Sequence, residues 1–171
     1  MAIGAFVVHQ SSSRIVSCNV LTISDTRSVK EDKSGEFILK TLENAGHRIL
    51  QRELIPDELI SIQNSIQKTL SKKESECILI TGGTGISIRD VTIEAILPFI
   101  EKKLDGFGEI FRALSFKEIG PHAILSRALA GTTKEGILIF ALPGSTQAVS
   151  LAMKELILPV LSHAVNLSHQ P

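Results

Sequence analysis

Short, mainly apolar runs alternate along the chain with stretches of helical period. The runs at 15–23, 77–80 and 137–142 are bounded by glycine or polar residues, which is typical of strands buried on both faces. Between them, apolar residues in 32–45 and 58–70 recur at the spacing of one helix face. The pattern therefore predicts strands that alternate with helices.

The remaining segments complete an α/β pattern. A second strand, at 47–55, mixes polar with apolar residues and is expected near a sheet edge. The later predictions are a helix at 92–100, a glycine-rich turn at 105–109 with a short helix at 110–115, a broken helix at 117–125 and a last helix at 145–161. This order predicts a three-layer α/β/α sandwich with a mainly parallel sheet. Because the turn at 134–136 is short enough for a hairpin, one antiparallel edge pairing is also expected.

Length and composition fit one globular domain. The chain has 171 residues, 43% of them hydrophobic, which is enough for a substantial core. We expect a flexible arm at 1–14 and a single domain at 15–165. Lys plus Arg and Asp plus Glu both number 18, so charge gives no case for nucleic acid as a partner.

Other features argue against a membrane or an exported protein. No apolar run has the length of a bilayer span, and the first residues lack the pattern of a signal peptide. We therefore expect a cytoplasmic protein without a membrane partner. Cys18 and Cys77 both fall in predicted buried strands, where cysteines serve as small apolar side chains.

Candidate chemistry begins directly after the 77–80 strand. Three glycines and two threonines follow there, and Asp90 precedes the next helix. Backbone N–H groups of such a loop can surround an anion. The spacing excludes a P-loop and a dinucleotide fingerprint. A tight turn that uses glycine only for its backbone angles is the alternative interpretation.

Three further strand ends carry polar or glycine-rich groups: Ser24-Asp25, Asp57 and Pro143-Gly144-Ser145. In a parallel sheet these ends meet along one edge and can form one cleft. Ser24-Asp25 can instead serve only as turn residues. Asp57 can instead serve only as the N-cap of the following helix.

Such a cleft would combine amides and hydroxyls, which suit phosphate, with carboxylates, which repel it unless a divalent cation lies between them. Mg²⁺ binds commonly through one or two carboxylates together with substrate phosphates. The residues thus predict a phosphorylated ligand plus Mg²⁺, such as a nucleotide. A phosphatase or a phosphotransferase would satisfy the same pattern.

Four segments in order resemble the molybdenum cofactor biosynthesis proteins of the MoaB/MogA family, and more closely the MoaB type. They are TGGTGISIRDVTIEA (81–95), GFGEIFRALSFKEIG (106–120), AILSRALAG (123–131) and ALPGS (141–145). The resemblance covers about 15–161 and implies the molybdopterin-binding fold. It implies binding of molybdopterin, whose adenylylation uses Mg²⁺ as cofactor and ATP as co-substrate and releases pyrophosphate.

The resemblance also assigns roles to residues. Asp57 and Asp90 would be catalytic and would position Mg²⁺ on the ATP phosphates, either indirectly or through those phosphates. Ser24 and Asp25 would lie near the nucleotide. The substrate-binding residues would be Thr81, Gly82, Gly83, Thr84, Gly85, Glu94, Ser115, Pro143, Gly144 and Ser145.

One departure concerns the closing loop. Thr146 stands where many adenylylating relatives have proline. Because MoaB-type members are not uniformly active, the alternatives are a protein that binds a pterin or nucleotide without adenylylation and an assembly partner in a cofactor-making complex. The resemblance also implies a homo-oligomer, with a hexamer for the MoaB type and a trimer for the MogA type.

Overall fold

A six-stranded sheet forms the centre of the computed structural model, which describes residues 14–170. The strand order across the sheet is β2-β1-β3-β6-β5-β4. The predicted arm at 1–14 lies outside the described residues except for Arg14. The strands are β1 (Ser17–Ile23), β2 (Arg48–Ile55), β3 (Cys77–Thr81), β4 (Lys102–Lys103), β5 (Leu129–Thr132) and β6 (Leu138–Leu142).

Strand directions confirm the predicted mixed sheet. β2, β1, β3 and β6 are parallel, and β5 pairs with β6 as the predicted antiparallel hairpin. The sequence did not predict β4, which adds an antiparallel pairing of two lysines at the edge beyond β5. A short charged strand of this kind protects a sheet edge from pairing with other chains. β2 forms the other edge, as its mixed polarity predicted.

Helices cover both faces of the sheet and complete the three layers. α2 and α3 pack on one face, and α1, α4, α5 and α6 pack on the other. Cys18 and Cys77 are register partners in the core and are both free thiols. The helices are α1 (Lys33–Asn44), α2 (Leu59–Ser71), α3 (Thr92–Ile96), α4 (Asp105–Ile119), α5 (Thr146–Leu151) and α6 (Leu161–Ser168).

The prediction of a glycine-rich turn at 105–109 is wrong. These residues begin the continuous helix α4, whose Phe107 ring contacts Phe140 of β6 with 5.4 Å between ring centroids. A Cβ at Gly108 would lie only 2.7 Å from the backbone oxygen of Ala128. Glycine here allows close packing of the helix, and this tertiary contact outweighs the low helix propensity of glycine.

Two other helices depart from the predicted ends. α3 stops at Ile96, and a 3₁₀ turn carries Pro98 at Leu97–Phe99. After α4, a 3₁₀ segment spans Gly120–Leu125, which matches the predicted break. α5 continues as a π-helical stretch at Ala152–Ile157.

The helix α6 was not predicted, because the last predicted helix ended at 161. A bend of 62° separates the Thr146–Ile157 helix from α6, and Pro159 lies in that break. In the described part of the chain, no single helix has the length and apolarity to cross a membrane, although this bent pair reaches both when taken together.

Candidate functional site

A cleft of about 570 Å³ lies along the carboxyl ends of the parallel strands. It brings together groups from all four of the predicted strand ends. Parallel strands place these ends at one edge of the sheet, so residues far apart in sequence meet there. The lining residues are Ile23, Ser24, Asp25, Thr26, Arg27, Asp57, Gly82, Gly83, Thr84, Gly85, Arg89, Asp90, Leu125, Ser126, Pro143 and Gly144.

Two glycines of the loop after β3 are required by the backbone. Gly82 and Gly83 have φ angles of +102° and +62°, which L-residues with a side chain rarely adopt. A Cβ at Gly82 would overlap the carbonyl oxygen of Ile23, and one at Gly83 would lie 2.8 Å from Asp57 Oδ1. The loop thus approaches the ends of β1 and β2 as closely as backbone allows.

Thr92, at the start of α3, fixes both glycines through hydrogen bonds to their carbonyl oxygens. Its Oγ1 donates to the carbonyl oxygen of Gly82 at 2.8 Å, and its backbone N–H donates to that of Gly83 at 3.0 Å. Thr92 is fully buried. Sequence reasoning missed this residue, although its position at the start of the helix after the loop was a usable signal.

Asp57 does not act as a helix cap, so the structure excludes that alternative. The N-cap of α2 is Glu58, and no side chain caps that end. The backbone N–H of Asp57 instead donates to Asp25 Oδ1 at 2.9 Å. Its Oδ1 atom is buried and has no hydrogen-bond partner. Asp57 therefore presents an unused acceptor at the cleft.

The pKa of Asp57 lies above its ordinary value. Burial is the largest cause, and the charges of Asp90 and Asp25 act in the same direction. A hydrogen bond from the Val91 backbone N–H lowers this pKa in part, as does the more distant charge of Arg89. An opposite charge placed in the cleft would favour the ionised form of Asp57.

Asp90 closes the tip of the glycine loop. Its Oδ2 accepts a hydrogen bond from the Ser87 N–H at 2.8 Å, and its own N–H donates to the Ser87 carbonyl oxygen at 2.9 Å. The carboxylate also lines the cleft. Asp90 thus shapes the loop while leaving acceptor capacity for a ligand.

The end of β1 combines turn contacts with a place in the cleft lining. Ser24 Oγ accepts from the N–H groups of Thr26 and Arg27 at 3.3 and 3.2 Å, which is turn chemistry. Asp25 forms an ion pair with Arg89 across the cleft. Both residues line the cleft as well.

Four of the predicted substrate-binding residues lie outside the cleft lining. Thr81 is fully buried beneath the loop, where its hydroxyl donates to the Pro143 carbonyl oxygen at 2.8 Å. Ser115 is buried in α4. Glu94 pairs with Arg127, and Ser145 Oγ caps α5 by accepting from the Ala148 N–H. The remaining six predicted residues, Gly82, Gly83, Thr84, Gly85, Pro143 and Gly144, line it.

Two arginines in the lining were not selected from the sequence. Arg27 is half-buried and donates to Ser34 Oγ and to the Gly144 carbonyl oxygen, both at 3.2 Å. Arg89 is exposed and pairs with Asp25. Each stands beside an acid that was selected, which was the available signal. Together they supply positive charge to a cleft that otherwise holds carboxylates.

The acids alone do not form a cation site. Among residues 14–170, no three His, Cys, Asp or Glu side chains group so as to hold a metal ion. The orphaned Asp57 Oδ1 beside Asp90 fits a cation that shares its coordination with phosphate oxygens, as Mg²⁺ does in many phosphate sites. The donor set therefore fits Mg²⁺ together with a phosphorylated ligand.

Comparison with known proteins finds relatives over most of the chain. The family described as "Probable molybdopterin binding domain" matches residues 19–163. Molybdenum cofactor biosynthesis protein B of Bacillus subtilis is 48% identical over 157 residues, which cover 91% of this chain and 92% of the relative.

Solved structures share the fold. The tungsten cofactor synthesizing protein MoaB from Pyrococcus furiosus superposes with a TM-score of 0.84 at 33% identity, covering 92% of this chain and 99% of that one. The molybdopterin biosynthesis Mog protein from Mycobacterium ulcerans gives 0.81 at 26% identity, with 91% and 97% covered. The chain therefore belongs to the MoaB/MogA family of molybdenum cofactor biosynthesis proteins, with the MoaB resemblance stronger, as its motifs indicated.

Proposed function

We propose that the protein binds molybdopterin and adenylylates it with Mg-ATP, with release of pyrophosphate. The observation that carries the proposal is the orphaned, buried Oδ1 of Asp57 in a cleft that also offers Asp90 and a glycine loop. The sequence similarity of the protein to relatives named for molybdenum cofactor biosynthesis supports the choice of molybdopterin as the substrate.

The reaction is a displacement at phosphorus. An oxygen of the terminal phosphate of molybdopterin would form a bond to the α-phosphorus of ATP, and the bond from that phosphorus to the bridging oxygen would break. Pyrophosphate leaves with that oxygen. No protein nucleophile is required, so the work of the chain is to position the reactants and to balance charge.

The residues of the cleft would divide this work. N–H groups of the glycine loop and the guanidinium groups of Arg27 and Arg89 suit phosphate oxygens. Asp57 and Asp90 would hold Mg²⁺, which when bound neutralises phosphate charge. Because burial and neighbouring acids disfavour the ionised form of Asp57, an incoming cation would stabilise a carboxylate whose Oδ1 has no hydrogen-bond partner.

The test is AMP transfer by purified protein, after calorimetry with ATP and with molybdopterin. We expect Asp57→Asn and Asp90→Asn to stay folded and to lose at least about 100-fold in turnover. Asp105→Asn is the matched control, because Asp105 is exposed at the start of α4 and outside the cleft lining. Normal AMP transfer by Asp90→Asn would refute its assignment.

A second candidate is a protein that binds molybdopterin or nucleotide without catalysis. The bond from the Ser87 N–H to Asp90 Oδ2 favours it, because that contact explains Asp90 without any reaction. Binding of both ligands without AMP transfer by the unaltered protein would select this candidate. Binding of neither ligand would favour a role in assembly.

Self-association is part of the proposal. Apolar side chains are exposed along α4 and the 3₁₀ segment after it, at Ile110, Phe116, Ile119 and Ile124. Exposed apolar side chains of this kind support a contact between copies. We expect a hexamer, or a trimer as the next choice, in light scattering, whereas a monomer would contradict this part.

A further inference from the structure

One arginine outside the cleft lining holds the glycine loop from behind. Arg127 follows the 3₁₀ segment after α4, and its backbone N–H donates to the Thr84 carbonyl oxygen at 3.1 Å. Its Nε donates to the Gly85 carbonyl oxygen and its Nη2 to that of Asp90, both at 2.6 Å. Its Nη1 pairs with Glu94. Arg127 thus contacts both ends of the loop between Thr84 and Asp90.

These contacts set the direction of three peptide units. The described chain contains no cis peptide bond, and in a trans peptide the carbonyl and the following N–H point in opposite directions. Carbonyls drawn toward Arg127 therefore turn the N–H groups of Gly85, Ile86 and Val91 away from it. The Val91 N–H lies close enough to the Asp57 carboxylate to lower its pKa, so the peptide unit between Asp90 and Val91 lies between Arg127 and Asp57.

Apart from the ion pair between Arg89 and Asp25, the other anchors leave the middle of the loop open. Thr92 fixes Gly82 and Gly83, before this segment begins. The bonds between Ser87 and Asp90 are internal to it. Ile86 and Ile88 are 68% and 99% exposed, so side-chain packing does not hold them.

We propose that Arg127 is a positioning residue for the loop from Thr84 to Val91. It holds the loop so that three carbonyls point toward Arg127 and the N–H groups that follow them remain available to the cleft and to Asp57. Because Arg127 lies outside the cleft lining, it would act through the loop and not through a direct contact with the ligand. The part of this inference that concerns turnover rests on the proposed adenylylation. The part that concerns the conformation of the loop does not.

The guanidinium shape is what the role requires. Arginine presents several N–H donors in a fixed plane, whereas the lysine ammonium is a single flexible point charge. Arg127→Lys therefore keeps the charge beside Glu94 but cannot reach the Gly85 and Asp90 carbonyls together. Arg127→Met removes both charge and donors. Arg112→Met is the matched control, because Arg112 reaches the Ser126 and Ala128 carbonyls only at 3.5 and 3.4 Å and lies outside the cleft lining.

The first measurement needs no ligand. Amide hydrogen exchange of 84–91 should become at least tenfold faster in Arg127→Lys and in Arg127→Met, and should stay unchanged in Arg112→Met. Amides of β3 and β6 report whether each variant is folded. Unchanged exchange at 84–91 in a folded Arg127→Met would overturn the proposal, whatever the protein's activity.

The second measurement separates positioning from a loss of folded protein. The number of binding-competent sites is counted by calorimetry with ATP, and kcat for AMP transfer is expressed per such site. We expect Arg127→Lys to lose about 100-fold in kcat, with KM for ATP within threefold of the unaltered protein. An unchanged kcat per site, or a KM that rises as much as kcat falls, would overturn the role in turnover.

The two results are independent. If the unaltered protein transfers no AMP, the proposed function fails, and hydrogen exchange alone decides whether Arg127 holds the loop. If the unaltered protein is active and exchange at 84–91 is insensitive to Arg127, only the positioning role fails.

Discussion

The backbone N–H of Asp57 donates a hydrogen bond to Oδ1 of Asp25, with 2.9 Å between nitrogen and oxygen. β1 and β2 are adjacent parallel strands, and the Ser24 N–H still bonds the Ile55 carbonyl oxygen at 2.9 Å where they end. The Asp25 contact continues this pairing beyond the strands. It therefore holds two acids side by side at the mouth of the cleft, and this arrangement has measurable consequences.

Asp57→Asn should stabilise the ligand-free protein at neutral pH. The folded state raises the pKa of Asp57 by burial and by the charges of Asp90 and Asp25, so the ionised group favours unfolding above that raised pKa. We expect the free energy of unfolding to rise by roughly 0.5–2 kcal/mol, the usual gain when a strained functional position is relieved.

Urea denaturation of both proteins in chelator, between pH 4 and pH 8, measures this gain. As pH falls through the raised pKa of Asp57, the wild-type carboxyl becomes protonated and the difference between the proteins should shrink. A difference that is constant over this range, or a less stable variant at pH 7, would contradict the electrostatic account.

Gly83→Ala should destabilise the protein and disable the cleft. Its φ of +62° disfavours a side chain, and the added Cβ would overlap Thr92 Oγ1 and lie 2.8 Å from Asp57 Oδ1. We expect a loss of about 1–3 kcal/mol in thermal or urea unfolding, together with lost ATP binding. Gly106→Ala is the control: its Cβ would meet nothing within 4 Å, so it should be neutral or stabilise α4 by up to about 1 kcal/mol.

Asp32→Asn should cost about 2–3 kcal/mol, since it weakens a buried charged network. Burial alone would raise the pKa of Asp32, but hydrogen bonds from Arg52, Gly35, Thr22 and Ser34 lower it below its ordinary 3.8. Their contribution is complete above pH 3.8 and is lost as pH falls through the lowered pKa. Acid unfolding curves should therefore converge for the two proteins at the lowest pH, and parallel curves would contradict this.

Arg27→Met should weaken binding of phosphate ligands by about 10- to 100-fold, the range expected for a lost charge-assisted hydrogen bond. Arg27 lines the cleft, and within residues 14–170 its guanidinium makes only two hydrogen bonds, both long. Calorimetry with inorganic pyrophosphate and Mg²⁺ measures the change. Arg48→Met is the control, because Arg48 is the first residue of β2 and the cleft lies at the carboxyl ends of the strands. Equal weakening by both variants would indicate an unspecific charge effect.

Strand and cleft predictions succeeded because their signals are local. The buried run at 77–80 became β3, and four polar strand ends met at one edge because parallel strands leave no other arrangement. The selection of Thr81 as a lining residue did not anticipate its burial. Thr81 and Thr84 flank the same glycines and look alike in the sequence. The Thr81 hydroxyl points into the protein because it donates to the carbonyl oxygen of Pro143, which follows β6.

By itself, the sequence determined the alternation of strands and helices, the glycine loop, the acids beside it and the family, because each is written in neighbouring residues. The tertiary structure decided which groups remain free: Asp57 Oδ1 has no partner, whereas Asp90, Asp25 and Glu94 have theirs. It also decided that Arg127 reaches a carbonyl 42 positions earlier in the chain. Such pairings depend on the order of strands in the sheet and on side-chain directions, which no local spacing encodes.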